Sequence, residues 1–244
     1  MTDEQQGTTN GGRTSRMEFA CRALNRSALF RTLPPERLDD IASHLRTRRY
    51  RKRQVIFTQG DEGDALHLVE SGLVRISAEA ADGREAIIGE VRPGETFGEL
   101  VLVEQTARSA TAIAVDDTVT LSLMREPFEA LLRSDEVFRR GIFEALAHEL
   151  RRATSHLGEL HFLDLSGRLA ARLTQMADEG SAEGGGEIRL PGRHSQADLA
   201  AMIGGSRQRV NQHLGELAEM GLIRLEGRDI VVLDLAALAR RGEW

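Results

Sequence analysis

Between Val55 and Leu123 short apolar runs alternate with glycine-bearing turns. The runs are Val55-Ile56-Phe57, Leu66-His67-Leu68-Val69, Val74-Arg75-Ile76, Ala86-Ile87-Ile88, Ala112-Ile113-Ala114-Val115 and Val119-Thr120-Leu121-Ser122-Leu123. Gln59-Gly60-Asp61, Ser71-Gly72, Asp82-Gly83 and Pro93-Gly94 separate them. Short strands at a spacing of roughly 8–12 residues predict a β-sandwich or barrel-like roll. Before this region, residues 17–47 read as helical with a break at Leu33-Pro34-Pro35-Glu36. Residues 1–16, whose only apolar side chain is Met1, read as a disordered tail.

The period changes after Glu126. Phe143, Leu146, Leu150, Ala153, Leu157 and Leu160 alternate spacings of three and four, a heptad seam on one long helix. The seam is narrow and flanked by Glu149, Arg151, Arg152 and Glu159, which favours a two-helix dimer interface over packing within one domain. Phe162-Leu163-Asp164 interrupts it, and Asp164 or Ser166 can cap a new helix through Ala170, Leu173 and Met176. A glycine-rich loop follows at Gly180–Gly186. Helical segments at 195–203 and 206–219 then precede two short strands, Leu222–Leu225 and Ile230–Leu233, joined around Glu226-Gly227-Arg228. Leu235–Arg241 reads as a short amphipathic tail packed on these strands.

Residues 195–233 thus have the pattern of a winged helix-turn-helix. Ala197, Leu199, Ala200 and Ile203 give the first helix an apolar face, Gly204-Gly205 makes the turn, and Ser206 can cap the second helix. Val210, Leu214 and Leu217 bury that helix. Arg207, Gln208, Arg209, Asn211 and Gln212 remain outward, and such side chains suit a DNA major groove. Arg207 and Arg209 are expected to divide base-edge and phosphate contacts.

Composition narrows the class. Of 244 residues, 41% are hydrophobic and 29% charged, as in ordinary globular proteins. No apolar run is long enough for a membrane span, and the N-terminus lacks the apolar core of a signal peptide, so a cytoplasmic protein is expected. The net charge of −6 opposes a bulk basic coat without excluding a local DNA-reading surface. Cys21 is the single cysteine, which excludes an intramolecular disulfide, a four-cysteine zinc site and a cysteine-ligated iron–sulfur cluster. It reads as an inert helical cysteine, with a redox switch as the alternative. Six of the eight residues Arg46–Arg53 are basic; they read as a solvated helix end and edge strand, with an auxiliary phosphate or partner surface as the alternative.

The most informative stretch is Phe97-Gly98-Glu99-Leu100, followed by Arg108-Ser109-Ala110. Glycine permits close backbone approach, Glu99 can hold a ribose hydroxyl, and Arg108 with the Ser109 hydroxyl suits a phosphate. A Glu99–Arg108 ion pair in a turn is the competing account.

Taken in order, Ile56-Phe57-x-x-Gly60-Asp61, Ser71-Gly72, FGEL, RSA, HFLDLSGRLA and GGSRQRVNQ resemble the cyclic AMP receptor protein / fumarate–nitrate reductase regulator (CRP/FNR) family of bacterial transcription factors. The resemblance runs from about residue 25 to 233. It implies an α+β chain: an N-terminal cyclic-nucleotide-binding β-roll, a long central dimerisation helix, a hinge and a C-terminal winged helix-turn-helix. The expected parts are a sensor at 17–136, the dimerisation helix and hinge at 137–164, and the DNA-binding domain at 165–244. Carried over, Glu99 and the Gly98 backbone match the family's ribose contacts. Arg108 and Ser109 match its cyclic-phosphate contacts, and Leu100 and Ala110 complete the ligand-binding set. Ala153 and Thr154 stand where the family places two hydroxyl residues toward the base, so the base side has lost one hydroxyl. Ser206, Arg207, Gln208, Arg209, Asn211 and Gln212 form the DNA-reading set. Arg207 keeps the family's guanine reader, while Gln208 replaces an acidic residue and opens adenine as a contact.

The resemblance implies a homodimeric regulator gated by cAMP, or next by cGMP, with double-stranded DNA, a second copy of the chain and RNA polymerase as partners. It implies no cofactor beyond that allosteric ligand, no metal and no enzymatic activity. One alternative is a regulator that is constitutive or senses another nucleotide, such as a cyclic dinucleotide. Another is a cyclic-nucleotide-binding scaffold or regulatory subunit. The cysteine-cluster branch of the family is incompatible with one cysteine, and the scattered histidines do not support a haem branch.

Overall fold

The computed structural model describes residues 9–27, 29–31, 33–83, 85–104, 106–180, 187–190, 194–227 and 229–243. The chain divides into two compact units, Met1–Arg84 with Ile88–Glu149, and Glu85–Ile87 with Leu150–Trp244.

The first unit opens with helices α1 (Thr9–Arg26) and α2 (Pro35–His44). Proline at the first position of α2 costs nothing, because that N–H has no partner within the helix. Strands β1 (Arg46–Tyr50), β2 (Val55–Phe57), β3 (Ala65–Ser71), β4 (Val74–Glu79), β5 (Glu85–Val91) and β6 (Thr96–Phe97) follow. The short helix α3 (Leu100–Glu104), strands β7 (Thr111–Ala114) and β8 (Thr118–Met124), and helix α4 (Arg125–Ser134) complete the roll. Helix α5 (Glu136–Phe162) begins in this unit, and the division falls within it. Two four-stranded sheets form, ordered β1-β8-β3-β6 and β2-β7-β4-β5.

Alternation decides what each sheet face meets. Leu66 and Leu68 of β3 and Leu121 and Leu123 of β8 join a core with α1, α2, α4 and the start of α5. Phe138 anchors it, with ring centroids 5.8 Å from Phe30 and 5.6 Å from Phe128. The intervening residues face the roll interior: Val69 packs with Val74, Val91, Phe97 and Ala112. Thr118, Thr120 and Ser122 lie on the same inner face of β8 and are buried. They are satisfied as buried hydroxyls must be: Ser122 donates to the Arg46 carbonyl and Thr118 to that of Asp116.

The second unit continues with α6 (Leu165–Gly180), β9 (Ile188–Arg189), α7 (Gln196–Ile203), α8 (Arg207–Glu219), β10 (Ile223–Glu226), β11 (Asp229–Val232) and α9 (Leu235–Arg241). Asp164 caps α6, its carboxylate accepting from the Gly167 N–H at 2.8 Å. Leu165, Leu169, Leu173 and Met176 make the buried stripe of α6, against Leu199 and Ile203 of α7 and Val210, Leu214 and Leu217 of α8. β11 lies between β10 and β9 in one antiparallel sheet.

Five expectations need correction. Helix α1 reaches back to Thr9, into the stretch read as a tail, because elongating a helix already anchored by packed Ala20, Ala23 and Leu24 adds a hydrogen bond per residue; residues 1–8 lie outside the described residues. The arginine-rich run is the edge strand expected of it, paired with β8 on one side with Arg46 opposite Ser122 and Tyr50 opposite Thr118, and only its helix-end part needs correction. Helix α9 packs chiefly on α6, where Gly242 lies against Ala171 and Leu238 joins the core. Ala197 is exposed and Met202 is buried in its stead, since the face of α7 runs through 199, 200, 202 and 203. The wing sheet has a third strand, β9. Most of the glycine-rich loop, residues 181–186, and Arg228 of the wing turn lie outside the described residues.

Candidate functional site

Arg108 lies in the first unit and is 6% exposed. Its backbone is clamped to the preceding turn: its N–H donates to the Asp61 carbonyl and its carbonyl accepts from the Gly60 N–H, both at 2.8 Å. Its Nη1 donates to the Gly98 carbonyl at 2.7 Å and its Nη2 to the Ala65 carbonyl at 2.9 Å. The guanidinium carbon sits 4.0 Å from the centroid of the Phe57 ring, within cation–π range. Nε has no hydrogen-bond acceptor among the described residues. Burial pulls the Arg108 pKa below the ordinary arginine range, while Asp64, Glu99 and Asp61 oppose the shift. An arginine nonetheless stays charged, so the sensor holds a desolvated cation with a donor to spare.

Two glycines make room for it. A Cβ on Gly98 would stand 2.5 Å from Arg108 Nη1, and one on Gly63 would stand 2.5 Å from Nε. Gly98 also adopts φ +78°, a left-handed conformation that side chains resist. Gly63 was not foreseen; nothing local in the sequence marks it.

Glu99 is half-buried. Desolvation raises its carboxyl pKa and Glu149 on α5 raises it further, whereas its own backbone N–H and Arg108 oppose the rise. Its carbonyl accepts from the Leu102 and Val103 N–H groups at 2.9 and 3.2 Å, which starts α3. Arg108 spends its bonded donors on the Gly98 and Ala65 carbonyls, in place of the ion pair with Glu99 considered from sequence. Leu100 and Ser109 are exposed and Ala110 is buried. Thr154 belongs to the part of α5 in the second unit; its hydroxyl donates to the Leu150 carbonyl at 2.9 Å.

A cavity of about 380 Å³ adjoins Arg108, lined also by Arg48, Tyr50, Phe57, His67 and Ser122. Its polar wall was missed because a polarity pattern does not say which side of a roll a histidine faces. Burial, reinforced by the Arg108 and Arg48 cations, drives the His67 pKa down to about 3. His67 is therefore a neutral ring at physiological pH, stacked on Phe97 at 5.1 Å.

The reading head is built the other way, outward. Ser195 and Asp198 form a capping box on α7, and Gly204, with φ +66°, ends it. Ser206 caps α8 by accepting from the Arg209 N–H at 3.3 Å. Arg207, Gln208, Arg209, Asn211 and Gln212 are all exposed. Asn211 Oδ1 accepts from Gln196 Nε2 at 2.6 Å, and Gln212 Nε2 donates to Glu216 Oε1 at 2.9 Å. In the wing, Arg224 pairs with Glu187 and Glu226, and Arg189 with Glu226 and Asp229, so these arginines are already neutralised.

Along α5 the apolar seam is open: Phe143 is 70% exposed, Leu150 69% and Leu157 64%. Ala153 and Leu160 are exposed as well, and Leu146 packs partly against the first core. Burial, then the Asp39 hydrogen bond and charge, pushes the Cys21 thiol up to about 11. A redox switch would need a thiolate that this site disfavours. Among the described residues no group of three or more His, Cys, Asp or Glu side chains could hold a metal ion, and no helix is long and apolar enough to cross a membrane.

Known proteins agree on both halves. Residues 47–135 match the cyclic nucleotide-binding domain family and residues 167–241 the Crp-like helix-turn-helix domain family. The cyclic AMP receptor protein of Thermus thermophilus is 38% identical over 212 residues, 87% of this chain and 95% of its own length. The CRP-like cAMP-activated global transcriptional regulator of Mycobacterium tuberculosis is 30% identical over 218 residues, 89% of this chain and 97% of its own. Among solved structures, the c-di-GMP-responsive global regulator CLP of Xanthomonas campestris matches with TM-score 0.69 at 27% identity, over 79% of this chain and 95% of that one.

Proposed function

The chain belongs to the CRP/FNR family of transcription regulators, and we propose that it works as a homodimer whose grip on a palindromic DNA site is gated by cAMP, with cGMP the next candidate. That it is a cyclic-nucleotide-binding regulator, and not an enzyme, follows from the family itself. The relatives' printed names support cAMP as the effector.

The observation that carries the reading is Arg108: a buried cation, wedged between two glycines, with an unpartnered N–H. Such a group is costly without an anion and rewarding with one. In the proposed mechanism the cyclic phosphate meets Arg108 and Ser109, the ribose hydroxyl meets Glu99 and the Gly98 backbone, Leu100 and Ala110 flank these contacts, and Thr154 supplies the base-side hydroxyl. An ionised Glu99 is the stronger acceptor for the ribose hydroxyl, so nucleotide affinity falls as acid protonates it, and its raised pKa moves that fall to a higher pH. The open seam Phe143, Leu146, Leu150, Ala153, Leu157 and Leu160 pairs with its copy. Ligand binding then shifts the dimer toward a state in which two heads sit about one DNA turn apart, ~34 Å. Ligand must favour that state; equal affinity for both would shift nothing. In this reading residues 17–136 are the sensor, 137–164 the dimerisation helix and hinge, and 165–244 the DNA-binding domain of a cytoplasmic protein that also meets RNA polymerase.

Calorimetric titration with cAMP and cGMP in parallel tests the reading. Binding of cAMP that is lost in Arg108→Ala is expected, together with loss of the nucleotide's effect on DNA affinity. An unchanged ligand response in that variant rejects the site. A second reading, a constitutive regulator or one answering to another nucleotide, is favoured by Ala153, which removes a base-side hydroxyl, and by the c-di-GMP response named for the Xanthomonas relative. Binding of neither mononucleotide, with DNA binding intact, selects it.

A further inference from the structure

A side-chain amide carries a donor on one side and an acceptor on the other, and rotation of its last torsion lets it present either. Two neighbouring amides, Asn211 and Gln212, lie on the exposed part of α8, and both are already bonded to residues outside the DNA-reading set. The inference rests on DNA reading by α8 as given above.

Gln212 Nε2 donates to Glu216 Oε1, one helical turn further on, at 2.9 Å. A carboxylate only accepts, so this bond has one polarity: the amide nitrogen turns to Glu216, and Oε1 and the second N–H turn elsewhere. The carboxylate is itself pinned, because its other oxygen lies 2.7 Å from Nδ1 of the half-buried His213 ring. Bonds from His213 and then Gln212 hold the Glu216 carboxyl below the usual carboxylate range, so it is ionised at neutral pH. Asn211 is tied with the opposite polarity, its Oδ1 accepting from Gln196 Nε2. Gln196 is the first residue of α7, inside the capping box that Ser195 and Asp198 form.

We propose that Glu216 is a positioning residue for DNA reading: it sets the amide of Gln212 so that the groove meets a carbonyl oxygen and one N–H together. An adenine edge, with a donor at N6 and an acceptor at N7, takes that pair. Asn211, whose oxygen already accepts from Gln196, keeps both N–H groups unspent and suits an acceptor edge. The two adjacent amides thereby read different base edges, and Glu216 acts without touching the DNA.

The test uses the full-length protein saturated with cyclic nucleotide and a palindromic duplex selected by the wild type from a randomised pool. Each half-site base pair is then replaced by the other three, and affinities are measured by fluorescence anisotropy. Gln212→Ala should erase the preference at one base pair. Glu216→Ala should flatten the preference at that same pair about tenfold and leave the ratios at other pairs intact. Glu216→Gln keeps the shape but frees the polarity, and should do the same. The double variant Gln212→Ala/Glu216→Ala should match Gln212→Ala. A uniform loss across all duplexes in both Glu216 variants would mean a merely structural role and overturns the proposal. So does an unchanged matrix, or a change at a pair that Gln212→Ala does not affect. If Gln212→Ala alters no pair, the proposal fails while DNA reading stands. If the wild type selects no duplex, the DNA-reading function fails and the proposal falls with it.

Discussion

In the proposed mechanism Arg108 and Arg207 are both cations offered to nucleotides, and the chain prepares them in opposite ways. Arg108 is buried, clamped by two carbonyls, an aromatic face and two glycines. Arg207 is exposed at the first turn of α8. Desolvation makes the first cation selective for a small anion that can enter, and its geometry is fixed before any ligand arrives. The second remains hydrated and mobile, which suits a partner whose phosphates come as a long array and whose base edges must be sampled. One chain thus uses burial where it needs discrimination of a single ligand, and exposure where it needs a surface.

The largest expected break of this contrast is Gly98→Ala. The left-handed φ and the approach to Nη1 together should cost the sensor about 2 kcal/mol and weaken cyclic nucleotide binding about a hundredfold, read by denaturant melts and calorimetry. Intact affinity would mean Arg108 is not held as described. Next, Arg207→Ala should weaken the selected duplex about tenfold and relax preference at one guanine. Arg209→Ala should instead weaken all duplexes alike and reduce the salt slope by about one, so equal behaviour of the two variants would erase their division of labour.

Acid sharpens the inside of the comparison. The unfolded chain takes a proton on His67 near pH 6.5, the folded chain only near 3. Between these values the unfolded state binds more protons, so stability falls as pH drops, by about 2 kcal/mol at pH 5. His67→Gln should flatten that part of the stability–pH curve; an unchanged slope would place the neutral ring elsewhere. The smallest effect is expected from the triple change Arg48→Ala/Arg49→Ala/Arg51→Ala. It should leave the salt slope of DNA binding where it was, since Arg48 lines the sensor cavity and the run is a strand of the roll.

Much of this was legible in the residues because period carries fold. The alternation at Leu66–Val69, the seam from Phe143 to Leu160 and the spacing of Val210, Leu214 and Leu217 each report a face that must be buried or paired. Strand β1 was hard to see because Arg46-Thr47-Arg48-Arg49-Tyr50 has no apolar alternation; its register comes from β8. Strands β6 and β9 have two residues each, too short for any period. The sensor residues Gly98, Glu99 and Arg108 stood out through residue type. Gly63 and Ala65 did not, and Phe57 was visible only as part of a strand and a motif, since their contacts exist only after folding brings them to the guanidinium. Gln196 and Glu216 escaped for the same reason: each acts through a bond across one helical turn or between two helices.

The fit of Gly63 against Arg108 also gives the chain a direction in evolution. Gly63 has an ordinary backbone conformation, and the atoms nearest to where a side chain would start are those of the Arg108 guanidinium. A lineage that once loses the arginine is released to put alanine or serine there, and each such step closes the space into which an arginine would have to return. Abandoning the sensor is then a ratchet. Descendants that stopped sensing should be recognisable by a side chain at this position, whatever else they keep.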